Sequence, residues 1–247
     1  ADKLIGEDRT AEATHILEAY HLILSGNPGK DEAITALASN VLQNLSTDYI
    51  LDILLANPEK VNEWSGENRI YSLVLMGATT VERLLDRLLE SHNRSERNRI
   101  IQAVTQMGDS AVGPVAERLG QEGPWYYTRN LALLIGRIGD ERHLALLAPH
   151  LPHSDYRVQR EVIKSIQSIG GHSAGQILVE HMDEIDPQLL NYAISVLGAL
   201  QFEAAAPYLI DILESRHGAV AKAERDEIRE KACEALGRIK AHEAVPV

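Results

Sequence analysis

The chain has 247 residues, with 36 acidic side chains against 24 lysines and arginines, and one cysteine. The net charge of −12 disfavours binding along a nucleic-acid backbone, which needs cations to replace condensed counterions. No apolar run approaches the roughly 20 residues of a membrane span, and a single cysteine excludes an intramolecular disulfide framework. We therefore expect a cytoplasmic protein that binds neither nucleic acid nor membrane.

The first predicted element is a helix over residues 10–25. Its apolar residues recur at helical spacing, and a glycine- and proline-rich segment follows it. The residues expected to face inward are Ile16, Leu17, Tyr20, Ile23 and Leu24. We predict that residues 1–30 form an N-terminal cap, whose helix takes the place of the second helix of a repeat.

From residue 31 onward, an apolar residue followed by a turn residue recurs at a fixed interval. The turn positions lie 31 residues apart, at Ser46, Gly77, Gly108, Gly139, Gly170 and Gln201. A seventh, Lys240, follows after 39 residues, which predicts an eight-residue insertion within residues 214–226. We expect it as a lengthened second helix or as a protruding loop, with Gly218 as the break. A fixed period of this size is typical of a solenoid.

Each period contains two segments of helical apolar spacing. In one of them Asp155 is a candidate N-cap, Val158, Val162 and Ile166 step by four, and Gly170 ends the helix. One helical pair cannot form a core, so neighbouring pairs must stack. The sequence predicts an all-α, right-handed α-solenoid. It would be one continuous domain over residues 31–247, with six full repeats and a C-terminal half repeat.

Several stretches carry a family resemblance. They are residues 155–160 leading to 168–170, residues 134–140, residues 204–210 and, as the best match, residues 231–247. They resemble HEAT-like repeats of the bacterial PBS-lyase type, whose pattern runs Asp-x-x-Val-Arg, Ala-Leu-Gly-x-Ile-Gly-Asp and Ala-Val-Pro-x-Leu. The resemblance implies helical-pair repeats in a bacterial cytoplasm. Such repeats serve unrelated activities, so a function has to be argued from a site.

The resemblance also suggests enzymes. A HEAT-like phycobilin lyase would rest on fold alone, because no residue is identifiable as catalytic. HEAT-like iron hydroxylases use His-Glu steps in several repeats, whereas this chain has one, at His242-Glu243. Four other histidines recur near one another in sequence or register: His143, His150, His153 and His181. Because adjacent repeats place equivalent atoms on the order of 10 Å apart, two such histidines do not chelate a metal.

We therefore predict no catalytic residue, cofactor or metal site. The predicted function is a protein-interaction scaffold without catalysis, and the alternative is a phycobilin lyase or a related modifying enzyme. Residues 243–247 have the composition of a second-helix start, so we also expect the chain to be part of a longer protein.

The predicted partner site is acidic and lies on the concave face, which second helices usually line. Thirteen residues after each turn position, the sequence reads Glu59, Glu90, Gln121, Pro152, Asp183 and Glu214. The four acids would form a ridge for a protein or peptide of basic or mixed charge, or they are ordinary solubilising residues. Trp125 and Tyr126 are candidate binding anchors at the edge of this ridge; the alternative is that they pack between repeats.

A basic segment interrupts this acidic sequence. Its arginines are Arg83, Arg87, Arg94, Arg97 and Arg99, with only three acids among them. This segment is an alternative site for an anion or an acidic partner. It is also compatible with a solvated turn between repeats that is held by local ion pairs.

Overall fold

A computed structural model of the chain describes residues 1–7, 9–25, 32–45, 47–55, 63–214 and 222–240. In these ranges the chain forms helices and turns without any strand, which confirms the predicted all-α solenoid class. No helix within them is both long and apolar enough to cross a membrane. The chain divides into two compact units, Ala1–Val115 and Ala116–Val247. The predicted boundary at residue 30 and the single continuous domain stay predictions.

The first unit is built from seven helices and the start of an eighth. They are α1 (Asp2–Gly6), α2 (Thr10–Ser25), α3 (Glu32–Leu45), α4 (Asp48–Leu55), α5 (Glu63–Leu75), α6 (Ala78–Glu90), α7 (Arg94–Met107) and α8 (Asp109–Leu119). The second unit continues with α9 (Trp125–Ile138), α10 (Leu144–Leu147), α11 (Tyr156–Ile169), α12 (His172–Glu180), α13 (Leu190–Ala199), α14 (Ala206–Leu213) and α15 (Lys222–Ile239). Short 3-10 segments flank several second helices of this unit.

The helix boundaries reproduce the 31-residue period. The helices α7, α9 and α11 begin at Arg94, Trp125 and Tyr156 and have 14 residues each. In α11, Asp155 caps the N-terminus by accepting a hydrogen bond from the backbone N–H of Arg157. The predicted apolar side chains of α11, Val158, Val162 and Ile166, are fully buried. The stripe that the sequence periodicity predicts is therefore the stripe that packs.

Five of the six turn positions that the structure describes adopt left-handed backbone geometry, two of them without glycine. Positive φ angles occur at Gly77, Gly108, Gly170, Gln201 and Lys240. Gly139 differs, with a φ of −82°, and there glycine is required by a close approach instead. A Cβ at Gly139 would lie 2.6 Å from the carbonyl oxygen of Ile135. The position at which each first helix ends therefore sets the register of the repeats. Glycine is the usual residue at that position, but Gln201 and Lys240 show that it is not required.

Part of the eight-residue insertion lengthens a first helix. The helix α15 has 18 residues, four more than α7, α9 or α11. The helix α14 ends at Leu213, so the second helix is not lengthened, and the alternative, a protruding loop, falls on residues 215–221, outside the described residues. Gly218, the predicted break, lies outside the described residues.

The N-terminal region departs from simple stacking. Two helices, α1 and α2, lie within residues 1–30. The helix α2 packs against α5, where the hydroxyl oxygens of Thr14 and Ser72 lie 3.1 Å apart. Second helices also contact first helices elsewhere in the chain, as α14 contacts α15, so the place of residues 10–25 as a second helix stays a prediction. The helix α3 packs against α2, and α1 packs against α4.

The buried face of α2 also differs from the predicted one. The buried stripe of α2 consists of Thr10, Ala13, Thr14 and Leu17. Of the five residues expected inward, only Leu17 is buried, while Ile16 and Leu24 are exposed. The buried residues of α2 lie at steps of three and four, so they form one stripe along the helix. Small side chains in such a stripe allow close packing of helices, and the larger aliphatic residues of α2 lie outside it.

First helices of the second unit approach closely at glycines. A Cβ at Gly136 in α9 would lie 2.5 Å from the Cβ of Ser165 in α11. The Ser165 hydroxyl donates a hydrogen bond of 2.9 Å to the carbonyl oxygen of Ala132 across the same interface. Likewise, a Cβ at Gly198 in α13 would lie 2.8 Å from the Cα of Ala235 in α15. Backbone contact at these points fixes the spacing of successive repeats.

Candidate functional site

Trp125 and Tyr126 are the first two residues of α9, and both are half-buried. Their ring centroids lie 6.0 Å apart with the planes at 88°, an edge-to-face arrangement that aromatic pairs favour. The third aromatic residue, Tyr127, is buried. The aromatic triple is therefore divided: one ring packs into the core and two remain partly accessible.

Arg157 covers one face of Trp125. Its guanidinium carbon lies 3.4 Å from the centroid of the indole ring, in cation–π geometry. The Arg157 side chain is held in turn by Asp155, whose carboxylate accepts a 2.9 Å hydrogen bond from Nε. The contact joins the start of α9 to the start of α11. Trp125 therefore packs on the next repeat and keeps part of its surface accessible, while its role as a binding anchor stays a prediction.

Tyr156 extends this surface. It is the first residue of α11, 31 residues after Trp125, and its side chain is 45% exposed. Neither Tyr156 nor Arg157 is among the residues predicted from the sequence, although they occupy the positions of Trp125 and Tyr126 in the following repeat. The repeat register was the signal that could have identified them. We call Trp125, Tyr126, Tyr156 and Arg157 the aromatic edge.

The acids of the predicted ridge are exposed where the structure describes them. Asp183 and Glu214 in the second unit and Glu90 in the first are all exposed, while Glu59 lies outside the described residues. Asp183 and Glu214 follow second helices, at the side of the unit where first helices begin. Trp125 and Tyr156 begin first helices, so the helix order assigns these acids and the aromatic edge to the same end of the helical pairs. The ridge as a whole stays a prediction.

Asp183 also acts on a neighbouring side chain. Burial, assisted by the negative charge of Asp183, raises the pKa of Tyr208 to about 12. Tyr208 lies in α14, so the carboxylate that follows α12 faces the next second helix. The Tyr208 phenol stays protonated at neutral pH, and Asp183 remains available for contact with a cation.

The arginine segment is internally paired in part. Arg87 donates hydrogen bonds to Asp52 of α4 and Glu96 of α7. Burial alone would lower the Arg87 pKa, but these two carboxylates outweigh burial and raise it. Arg97 donates to the carbonyl oxygen of Ser91, and burial lowers the pKa of Arg99. Arg83 and Arg94 are exposed. Arg87 and Arg97 thus hold helices together, which favours the local ion-pair interpretation for them.

Two of the histidines singled out in the sequence accept hydrogen bonds from backbone N–H groups. His143 Nδ1 accepts a 3.0 Å bond from the Asp140 backbone N–H, and His153 Nδ1 accepts a 2.9 Å bond from that of Asp155. Burial, followed by the nearby His153, lowers the pKa of His150. His181 Nδ1 lies 3.0 Å from the carbonyl oxygen of Ile177. Within the described ranges, no three His, Cys, Asp or Glu side chains form a group that could hold a metal ion.

The contact between Arg157 and Trp125 should respond to acid. The hydrogen bond from the Arg157 side chain is the main cause that lowers the pKa of Asp155 to about 2. In the unfolded chain the pKa of an aspartate is about 4. Because the pKa of Asp155 is lower in the folded state, its ionised carboxylate stabilises that state above pH 4, and this stabilisation is lost as the pH falls through the folded-state pKa. We expect Trp125 fluorescence to change between pH 4 and pH 2, as Asp155 is protonated and Arg157 is released.

A Trp64→Phe background leaves Trp125 as the only tryptophan for this measurement. Asp155→Asn is the matched control, because asparagine can still cap α11 but does not titrate. The change between pH 4 and pH 2 should be absent in Asp155→Asn. An identical titration in both proteins would contradict the assignment to Asp155.

Part of the chain matches a known family of repeats. Residues 114–191 match the family model for HEAT repeats. No curated protein matches the chain. Among solved structures, human deoxyhypusine hydroxylase in complex with glycerol is 18% identical, covering 98% of this chain and 90% of that chain, with a TM-score of 0.36. An engineered protein is 14% identical over 93% of this chain and 70% of that chain, with a TM-score of 0.44.

A third solved structure is the complex of CpcE and CpcF of phycocyanin lyase from Nostoc sp. PCC7120. It is 17% identical, covers 91% of this chain and 94% of that chain, and has a TM-score of 0.32. The family match, the 31-residue helix register and the left-handed turn positions agree with one another. The resemblance predicted from the sequence is confirmed for residues 114–191, which match HEAT repeats, and the 31-residue helix register extends beyond them.

Proposed function

We propose that the chain is a protein-interaction module and that a partner binds its second unit at the aromatic edge. The observation that carries this proposal is the continuous contact from Tyr126 to Trp125 to Arg157, with exposed Tyr156 adjoining it. Tryptophan, tyrosine and arginine are the residues that dominate binding energy at protein interfaces. Four of them adjoin here on the surface of a repeat type that commonly binds proteins.

The aromatic edge is preorganised for binding. Asp155 fixes the Arg157 guanidinium, and the guanidinium fixes the Trp125 ring. Side chains that are already ordered lose less rotamer entropy when a partner binds, and each immobilised side chain would otherwise cost about 0.5–1.5 kcal/mol. Little of the contact energy of the aromatic edge would therefore be lost to ordering its side chains when a partner binds.

The exposed acids on the same side support a partner that carries basic residues. Asp183 and Glu214 are both exposed, and the 183–214 segment contains no lysine or arginine. Exposed ion pairs each contribute only about 0–1 kcal/mol, so these acids would steer association more than they would set affinity. The aromatic edge would then supply most of the affinity and the acids most of the association rate.

The test is capture of partners from the native host with matched variants. We expect Trp125→Ala combined with Tyr156→Ala to lose a partner that the unmodified chain retains, with affinity reduced about 30-fold or more, as for a loss of 2 kcal/mol. Tyr71→Ala is the control, since Tyr71 is a tyrosine of similar exposure, 42%, in α5 of the other unit. Retention by the double variant, or equal loss with Tyr71→Ala, would contradict the proposal.

Kinetic measurements separate the two contributions. Asp183→Lys with Glu214→Lys should slow association and reduce its dependence on salt, whereas Trp125→Ala should mainly speed dissociation. The alternative function, a phycobilin lyase or related modifying enzyme, predicts a different outcome. The captured partner would then carry a new covalent group after incubation with the chain, detectable by its mass.

A further inference from the structure

A second surface lies on α2 and α3 in the first unit. Five large aliphatic side chains in the described ranges are exposed, by 36% to 66%, and all five belong to these two helices. They are Ile16, Leu22, Leu24, Ile34 and Leu37. The other large exposed apolar residues in the described part are three separate tyrosines. Single exposed apolar residues are ordinary, but their concentration on one helical pair marks an interaction surface.

These residues form stripes beside the buried ones. In α3, Ala38, Leu42 and Leu45 are buried, while Ile34 and Leu37 stand one turn apart on the adjoining side. In α2, the buried stripe ends at Leu17 and faces α5, and Ile16 lies beside it. Because α2 and α3 pack against each other, both stripes belong to one helical hairpin. We call Ile16, Leu24, Ile34 and Leu37 the N-terminal apolar face.

The lysine, arginine, aspartate and glutamate content of α2 and α3 is acidic only. Neither α2 nor α3 contains a lysine or an arginine, whereas they carry Glu12, Glu18 and Glu32. Glu12 accepts a hydrogen bond of 2.7 Å from Arg9, and Glu18 lies 3.2 Å from a histidine ring. The neighbouring helix α4 begins with the exposed Asp48. Apolar stripes bordered by acids complement a helix with one apolar face and flanking lysines or arginines.

We propose that the N-terminal apolar face binds a basic amphipathic helix of a partner protein. The bound helix would lie along α2 and α3, its aliphatic residues would cover Ile34 and Leu37, and its cations would meet Glu18 and Glu32. This site is separate from the aromatic edge and goes beyond the function proposed above.

Charge also decides between this occupant and two others. A second copy of the chain would bring two acidic surfaces together, at a net charge of −12 for each copy. An anionic membrane attracts helices that carry lysine and arginine on their polar face, and α2 and α3 carry neither. A basic helix is the occupant whose charge fits.

The test uses a fluorescent 18-residue synthetic peptide of leucine and lysine in amphipathic helical order, titrated with the whole chain. We expect saturable binding that weakens at least tenfold when glutamate replaces the lysines. Binding should also weaken at least tenfold in the Ile34→Asn, Leu37→Asn variant. Both substituted residues are exposed, so the variant should fold, which circular dichroism checks. Tyr156→Ser, on the aromatic edge, should bind the peptide as the unmodified chain does.

Several outcomes would overturn the inference. Equal binding of the lysine and glutamate peptides would contradict the basic occupant, and unchanged peptide binding by the double variant would contradict the site. Self-association of the chain that Leu37→Asn abolishes would indicate a second copy as the occupant. Binding of the chain to phosphatidylglycerol vesicles would indicate a membrane. Loss of peptide binding in Tyr156→Ser would also overturn it, because the site would then be the aromatic edge. Since the peptide assay does not involve the captured partner, failure here and failure of the proposed function are distinguishable.

Discussion

Leu17→Ala should lower the free energy of unfolding of the first unit by about 2–5 kcal/mol, the range for removing a fully buried leucine side chain. Leu17 has no exposed surface and belongs to the buried stripe that α2 presents to α5. Alanine would leave a cavity between these helices that the close-packed stripe cannot fill. Urea unfolding gives the size of the loss, and amide hydrogen exchange should show that the amides of α2 lose the most protection.

Leu22→Ala is the matched control for this prediction, because it makes the same chemical change in the same helix. Leu22 is 66% exposed, so the substitution should alter the free energy of unfolding by no more than about 0.5 kcal/mol. Equal destabilisation by the two variants would mean that α2 does not contact α5 through its buried stripe.

Gly136→Ala should destabilise the second unit by about 1–3 kcal/mol, the usual cost of adding volume to a packed interface. The new Cβ would lie 2.7 Å from the Cα of Ser165, so rotating the serine side chain cannot relieve the contact. The helices α9 and α11 would have to separate, which would also stretch the hydrogen bond from Ser165 to Ala132. Urea unfolding followed by circular dichroism measures the change.

The control is Gly237→Ala in α15. A Cβ at Gly237 would meet no atom within 4 Å, and the residue is exposed. Alanine there should be neutral or should stabilise the protein by up to about 1 kcal/mol, since it favours the helix and restricts the unfolded chain. If Gly136→Ala behaves like Gly237→Ala, the two first helices are not held in contact at this point.

The sequence predicted the repeat fold well because its main constraint is local. Each first helix has to end at a fixed position, and Gln201 and Lys240 adopt left-handed geometry there although neither is a glycine. Periodicity alone locates such positions. Periodicity does not say which neighbour a helix packs against, so the contact between α2 and α5 could not be predicted from the sequence.

The candidate site was predicted in part for a similar reason. Trp125 and Tyr126 were identified by composition, because aromatic residues are scarce in this chain. Arg157 was not identified, because its contact with Trp125 depends on the spacing of two helices and on the hydrogen bond that Arg157 donates to Asp155. Comparing equivalent positions of successive repeats would have pointed to Tyr156 and Arg157. The distance between their side chains and Trp125 could come only from coordinates.

The Arg157–Trp125 contact means that the aromatic edge belongs to a junction and not to one repeat. A copy of residues 125–155 inserted elsewhere would carry the indole but not the guanidinium that covers it. Transplanting the site onto another helical array would therefore require two consecutive repeats with Asp155 between them. Gain or loss of a single repeat at this point, a common change in repeat-protein evolution, would create or remove the whole site in one step.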